Sequence, residues 1–388
     1  MKIAYFISTI NSKSKGQGGH YHSLAVTEKM IRRRCDSFIV NIGTDSSAAI
    51  AAGDARSYLV KLNNRGLLRE LKRLRDIVDH ERPDAIHAFD NESYLWARIM
   101  ARIYRIPCVV TKCGGENPKV YWPYARDLVV YSGENLEYFK GKRKFRKTDC
   151  HLIPNRVVRV TADADRVESI RKVISARHDY QFVLLRIARI GRYYKQSILQ
   201  LVQLMSQLRA DGVDCCAVLV GAVEDPDLHQ ELQLAGGEHF YSFCDSQHTR
   251  NASELIDVAD LVVGTGRSFM EGASFGKIML APVQGATFPV LVDEESFPYA
   301  LHYNFSERLR IEQHDEATNY ERIRTLFSDS LKLEQQREYS RFMFSAYFDG
   351  EQLIEKHMAI YTARKEKGTP HFIDLMWHSL FVLRKYWI

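Results

Sequence analysis

Along both halves of this 388-residue chain a short apolar run is followed by a polar or glycine-bearing turn, an amphipathic stretch and then another apolar run. Short apolar runs bounded by turns read as strands buried on both faces, and helical stretches between them call for parallel pairing. In the first half, strands are expected at Lys2–Ser8, Ser37–Ile42, Ala85–Ala88, Cys108–Thr111 and Leu128–Tyr131. Leu67, Leu68, Leu71, Leu74 and Val78 recur at spacings of three and four, with Arg69, Lys72, Arg73 and Arg75 on the other face, which predicts a helix. The rhythm restarts with a strand at Phe182–Ile190, a helix at Ser197–Arg209 and strands at Cys215–Gly221 and His239–Phe243. A helix around Glu254–Val258, a strand at Asp260–Gly264, a helix at Ser268–Phe275 and a strand at Ile278–Pro282 complete it.

A chain of this length suits two domains. Ile153-Pro154-Asn155 ends a strand, and a polar linker with one helix follows over Val157–Asp179. The expected organisation is an α/β domain over 1–160, a second over 161–339, and C-terminal helices over 340–388 that pack back on the first. Seven cysteines, at 35, 108, 113, 150, 215, 216 and 244, include no CxxC pair. That argues against a disulfide framework or a zinc site and for a reducing compartment. The first residues read as a strand rather than a signal peptide, no run approaches the ~20 apolar residues that cross a bilayer, and the expected location is the cytoplasm. A net charge of +6 suits an anionic ligand or an anionic membrane surface.

The segment from Ala259 to Lys277 carries the most chemistry: a strand ends in a glycine-rich turn and a helix begins almost at once. Such a turn points backbone N–H groups along the positive end of a helix dipole, where a phosphate is stabilised. Gly264 and Gly266 would admit a ligand to the backbone, Ser268 supplies an amide, and Arg267 is a bidentate donor. Glu271, one turn into the helix, can accept from ribose hydroxyls. The same residues also fit an ordinary strand–helix turn with a solvated glutamate in its first turn.

Arg189 and Lys195 follow the first strand of the second half, at the edge where open α/β sheets bind ligands. There they would neutralise a departing diphosphate, although a solvated basic loop has the same composition. Gly16-Gln17-Gly18-Gly19-His20 follows the first strand and matches the dinucleotide fingerprint only loosely, because Tyr21 occupies its last glycine position. Gly18 and Gly19 would let that loop pack on a ligand. Glu116 and Asn117, in the Cys113–Pro118 turn, are candidates for sugar hydroxyls or members of a turn with no ligand. His87 and Asp90 lie at another strand's carboxyl end and are candidates for acceptor contact.

Together these residues resemble the GT-B glycosyltransferases, specifically the large family 4 that makes bacterial surface glycans, over most of the chain to about residue 350. The family's glycine pair resembles Gly18-Gly19, and its Ile-Pro-Asn-Gly stretch resembles Ile153-Pro154-Asn155 with Arg156 in place of glycine. Its diphosphate-holding Arg and Lys look like Arg189 and Lys195. Its closing motif of two glutamates eight positions apart resembles Val263 to Glu271, followed by Gly276-Lys277-Ile278-Met279. Val263 stands where the first glutamate would be, and Cys113 near the position of a histidine. The resemblance implies two Rossmann-like domains facing a cleft and transfer from a nucleotide-sugar, UDP-sugar favoured, with retention of configuration and neither metal nor cofactor. It places the base near His239–Cys244, with Phe243 among the nucleotide-binding residues. The acceptor it implies is a glycan or a lipid-linked glycan of capsule, O-antigen or lipopolysaccharide. Two other readings stay open, a GT-B-shaped nucleotide-sugar epimerase and a non-catalytic glycan-binding scaffold.

Lys140 to Lys147 is a dense basic run with one aromatic, Phe145, and the tail Phe372–Ile388 is rich in Phe, Trp and Leu. The run is either a solvated loop or a contact for anionic headgroups, and the tail either a core helix or an interfacial anchor. The run is local and no nucleic-acid motif accompanies it, so nucleic acid is not an expected partner.

Overall fold

The computed structural model describes residues 1–9, 18–62, 67–119, 121–363 and 372–387. Gly16, Gln17 and Ile388 of the segments singled out above lie outside them. The chain divides into two compact units, Met1–Arg156 with Gly350–Ile388, and Val157–Asp349.

In the first unit the strands are β1 (Lys2–Thr9), β2 (Asp36–Gly43), β3 (Ser57–Lys61), β4 (Ala85–Ala88), β5 (Cys108–Lys112), β6 (Asp127–Val130) and β7 (Asp149–Leu152). They pair in parallel in the order β3-β2-β1-β4-β5-β6-β7. Connections run outward from β1 and then restart at β4, so the topological switch point lies between these two strands. Helices cover the sheet, and the inner strands are therefore apolar on both faces. Seven of the eight β1 residues are buried. Helix starts are set by local chemistry: Asp90 accepts from Ser93 N ahead of the helix Asn91–Tyr104, and Ser132 accepts from Asn135 N ahead of Gly133–Lys140. Arg156, in the family's glycine position, is buried and donates through Nε to Thr27 Oγ1 at 3.0 Å over the Tyr131 ring.

The second unit contains β8 (Phe182–Ile187), β9 (Cys215–Val220), β10 (Phe240–Phe243), β11 (Leu261–Val263), β12 (Ile278–Ala281) and β13 (Val290–Leu291), in the order β10-β9-β8-β11-β12-β13. The same winding puts its switch point between β8 and β11. Only β13 is antiparallel. Its link to β12 spans residues 282–289, too short for the dozen or so residues of a parallel crossover.

The expected strands are present within a few residues of their bounds. β8 stops at Ile187 instead of running to Ile190, and a 3-10 turn at Arg192–Tyr194 leads into the helix Lys195–Ala210. The helix expected around Glu254–Val258 is a 3-10 segment, Ala252–Val258. β3 and β13 were not expected, and β7 is the strand expected to end at Ile153-Pro154-Asn155; all three are edge strands. The C-terminal helices are Ser330–Met343, Gly350–Thr362 and Phe372–Trp387, and the last two belong to the first unit. Among the described residues no helix is long and apolar enough to cross a membrane.

Candidate functional site

At the switch point of the second sheet the central residue is Arg186, which the sequence reading passed over as part of a strand. It sits near the carboxyl end of β8, fully buried. A guanidinium taken out of water must have its donors engaged. Nε donates to Ser197 Oγ at 3.0 Å, Nη2 to Thr265 Oγ1 at 2.9 Å, and Nη1 to Val263 O at 3.3 Å and Ser268 Oγ at 3.2 Å. Glu307 Oε1 lies 3.8 Å from Nη2, and Glu307 Oε2 accepts from Ser197 N at 3.0 Å, at the start of the helix Lys195–Ala210. Burial lowers the Arg186 pKa against the opposing charge of Glu307, and burial raises that of Glu307. Arg186 thus ties β8, the turn after β11 and the 307 segment into one polar knot.

The glycine turn is built on that knot. Gly264 serves packing: a Cβ there would stand 2.5 Å from Phe269 Cα, so the space expected for a ligand is taken by the next helix. Gly266 holds φ +47, a conformation that favours glycine, and caps the helix Arg267–Ser274. Two of the amides expected to face a phosphate are engaged, Gly266 N with Phe305 O at 3.3 Å and Ser268 N with Thr265 O at 3.1 Å. The Ser268 hydroxyl accepts from Thr265 N and Arg186 and donates to Thr265 O at 3.1 Å. Glu271 is buried and accepts from Arg267 Nε at 2.6 Å, one helical turn away. Arg267 Nη1, Asn304 Oδ1 and Glu307 Oε1, on residues framing this turn, are buried without a hydrogen-bond partner among the described residues.

Val263, in the position of the family's first glutamate, is buried in the apolar cluster of Leu184, Ile198 and Leu280. Arg189 and Lys195 do not join the knot. Arg189 pairs with Glu224 at 2.5 Å and Lys195 with Glu231 at 2.9 Å, all four side chains being close to half exposed. Phe243 ends β10, buried, with its ring 4.9 Å from that of His248. His239 falls at the other end of that strand, bonded to the Tyr180 hydroxyl at 2.8 Å, which takes it away from the ligand-binding edge. Only the 243–244 end of the expected base region lies there.

In the first unit a pocket of about 410 Å³ opens at the carboxyl ends of β4 and β5, lined by His20, Asp90, Glu92, Lys112, Cys113 and Trp122 among others. Gly18 and Gly19 begin the helix Gly19–Ile31 that brings His20 there, and a Cβ on Gly19 would meet nothing within 4 Å. His87 is corrected to a core residue. It is wholly buried, and its nitrogens bond the Tyr361 hydroxyl at 2.6 Å and Thr111 Oγ1 at 2.7 Å. Burial, then the nearby Arg156 charge, push its pKa well down, so the ring is neutral and out of reach of an acceptor. Glu116 pairs with Lys119, and Asn117 Oδ1 accepts from Asn135 Nδ2 at 2.9 Å; neither lines the pocket. Cys113 lines it with a thiol that burial pushes up to about 12, which keeps it protonated.

Asp90 does line the pocket. Its carboxylate accepts from Ser93 N at 2.6 Å and Ser8 N at 2.7 Å, yet burial, and then the Glu92 charge, raise it from 3.8 to about 7. A carboxyl raised in the folded state contributes stability that is present below its unfolded pKa and is lost as pH rises through the folded one. The opening free energy of β1 and β4 amides, read by hydrogen exchange, is therefore expected to fall from about pH 5 to about pH 8 and to fall less in Asp90→Asn. Equal slopes would mean that the two amides keep Asp90 ionised throughout.

Among the described residues no group of three or more His, Cys, Asp or Glu is placed to hold a metal ion. No family model matches the sequence, and no curated protein matches it. Solved structures do share the fold. The Anabaena protein HepE in complex with UDP superposes with a TM-score of 0.66 at 16% identity, over 92% of this chain and 98% of that one. A glycosyltransferase from Rickettsia africae gives 0.67 at 14%, over 93% and 97%. UDP-GlcNAc 2-epimerase from Neisseria meningitidis, bound to UDP-GlcNAc, gives 0.54 at 12%, over 93% and 99%. The chain has the GT-B fold of two Rossmann-like domains.

Proposed function

We propose that the protein is a glycosyltransferase that binds a nucleoside-diphosphate sugar, UDP-sugar favoured, at the carboxyl edge of β8 and β11. The reading rests first on the glycine turn and the Arg186 knot beneath it, where Arg267 Nη1, Asn304 Oδ1 and Glu307 Oε1 are buried without a hydrogen-bond partner among the described residues. Native proteins leave few such atoms unsatisfied, and those that remain gather where a ligand completes them. Glu271 would accept from the ribose hydroxyls, exchanging part of its bond to Arg267, and the freed guanidinium would turn to the phosphates. Arg189, paired with Glu224 and lying over the Tyr194 ring, and Lys195, paired with Glu231, would swing to the diphosphate as it takes up charge. Phe243 would lie along the nucleotide. Asp90 faces the pocket where an acceptor hydroxyl would enter. In the transfer the bond from the sugar's anomeric carbon to the phosphate oxygen breaks, one to the acceptor oxygen forms, and the acceptor's hydroxyl proton passes to the departing diphosphate, with retention of configuration and without a metal.

The proteins that share this fold support the reading by what they were crystallised with: HepE with UDP and with UDP-glucose. The resemblance to family 4 supports a glycan or lipid-linked glycan acceptor in bacterial surface-polysaccharide biosynthesis. The epimerases among the same neighbours favour a second reading, chemistry on the nucleotide-sugar alone.

A donor panel by thermal shift and nucleotide release, on the wild type and Glu271→Ala, tests this. A nucleoside diphosphate at a hundred times its Kd stabilises by about 2.7 kcal/mol, a shift of about 2–4 °C at this size. The expected result is that shift from one nucleotide and its loss in Glu271→Ala. Diphosphate release only with a glycan acceptor establishes transfer. Turnover of the donor without acceptor and without net release selects the epimerase, and no shift with any nucleotide overturns both.

A further inference from the structure

The helix Phe372–Trp387 is amphipathic with its faces reversed. Its inward row is Asp374, His378 and Val382, at 8%, 0% and 0% exposure. Asp374 accepts from Arg98 Nη1 and Tyr124 N, each at 3.0 Å, and from the Tyr121 hydroxyl at 2.6 Å. His378 bonds Asn91 O through Nε2 at 2.8 Å, which leaves Nδ1 to accept from Arg98 at 3.2 Å. On the outward side stand Phe372, Ile373, Met376, Trp377 and Leu380, exposed by 77%, 66%, 46%, 56% and 53%. Positions i, i+1, i+4, i+5 and i+8 form one continuous stripe. A helix packing for water alone would bury that stripe and expose the acid and the imidazole. The bonds to Arg98, Tyr121, Tyr124 and Asn91 hold it the other way round.

The same contacts join the stripe to a field of charge. Lys144 Nζ lies 2.8 Å from Asp374 Oδ1 and 4.0 Å from the Tyr121 ring centre. It belongs to the run Lys140–Lys147, in which Lys140, Lys142, Arg143, Lys144, Arg146 and Lys147 are exposed, whereas Phe145 is buried in the core. The aromatic expected to serve the surface from within this run is thus replaced by those of the helix. Large contiguous apolar surface on a folded protein marks an interaction site. A second copy of the chain fits poorly, because a twofold contact through this patch brings two basic runs together. An anionic bilayer satisfies both halves, with acyl chains against the stripe and headgroups against the cations.

We propose that the Phe372–Trp387 stripe and the Lys140–Lys147 run form one surface by which the first unit docks on an anionic lipid bilayer, the helix lying in the headgroup plane. The proposal is independent of the nucleotide site in the second unit.

Cosedimentation of the full chain with phosphatidylcholine vesicles, with and without phosphatidylglycerol, tests it. The expected result is pelleting with the anionic vesicles that weakens at high salt. Phe372→Ser/Trp377→Ser should lower the partition coefficient about tenfold or more, and Lys142→Gln/Arg143→Gln/Lys147→Gln should lower it comparably and flatten the salt dependence. All five side chains are exposed, and an unchanged melting curve confirms that the variants fold. Equal pelleting of wild type and both variants overturns the proposal, as does no pelleting on any vesicle. A dimer that disappears in Phe372→Ser/Trp377→Ser without vesicle binding overturns it in favour of a second copy.

Discussion

Arg186→Met is expected to destabilise the second unit by about 3–5 kcal/mol, as removal of one member of a buried ionic network does. Methionine replaces the unbranched stem of the side chain but not its guanidinium, so it leaves Ser197 Oγ, Thr265 Oγ1 and Val263 O without their donor and strands Glu307 beside an apolar group. The loss has two components, unsatisfied acceptors and an uncompensated carboxylate. Glu307→Gln in the same chain should therefore restore part of it, since the amide oxygen can still accept from Ser197 N. Chemical unfolding followed by hydrogen exchange in β8 and β11 peptides reads the effect locally. A change below about 0.5 kcal/mol, the range of ordinary surface substitutions, would show that the knot does not hold the turn in place.

Arg189→Ala and Lys195→Ala are expected to do the opposite, leaving stability alone and removing activity. Their pairs with Glu224 and Glu231 are exposed, and such pairs contribute about 0–1 kcal/mol. A donor aimed at charge that develops in the transition state contributes much more, and losing one typically lowers turnover by about 10²–10³, or 2.7–4 kcal/mol. Each alanine variant should melt with the wild type and release nucleoside diphosphate about a hundredfold or more slowly. Glu224→Gln frees Arg189 without removing it and should keep the rate. Retained turnover in both alanine variants would return these residues to a solvated basic loop.

What was legible in the sequence follows from burial. β1, β2 and β9 lie inside their sheets, covered on both faces, so each appears as a largely apolar run whose ends are good to a residue or two. β3 is an edge strand with only Val60 buried, and of β7 only the end showed, at Ile153-Pro154-Asn155, because Asp149-Cys150-His151-Leu152 carries no pattern that separates it from a turn. β13 has two residues, too few for any period to show. The glycine turn was legible as a turn, but the physical reason for Gly264 was not, because the backbone it meets arrives five residues later. Arg186 was missed although a signal existed: an arginine inside an otherwise apolar strand must find acceptors, and those close by, Ser197, Thr265 and Ser268, were already in view. Its acidic neighbour at 307 and the Asn304 beside Gly266 come from a distant segment with no motif of its own. His87 was misread for the converse reason: its partners, Thr111 and Tyr361, are far along the chain, and only the fold shows that both ring nitrogens are taken.

The division of the chain into two units also sorts its chromophores. All four tryptophans, at 96, 122, 377 and 387, fall in the first unit, and the Val157–Asp349 unit has none. Tryptophan emission from the native protein is therefore a one-sided signal. A nucleotide that binds the second unit has no indole beside it there. A change in emission on adding nucleotide therefore reports on the surroundings of first-unit indoles, and a silent titration that still raises the melting temperature would mean that those indoles do not sense the binding.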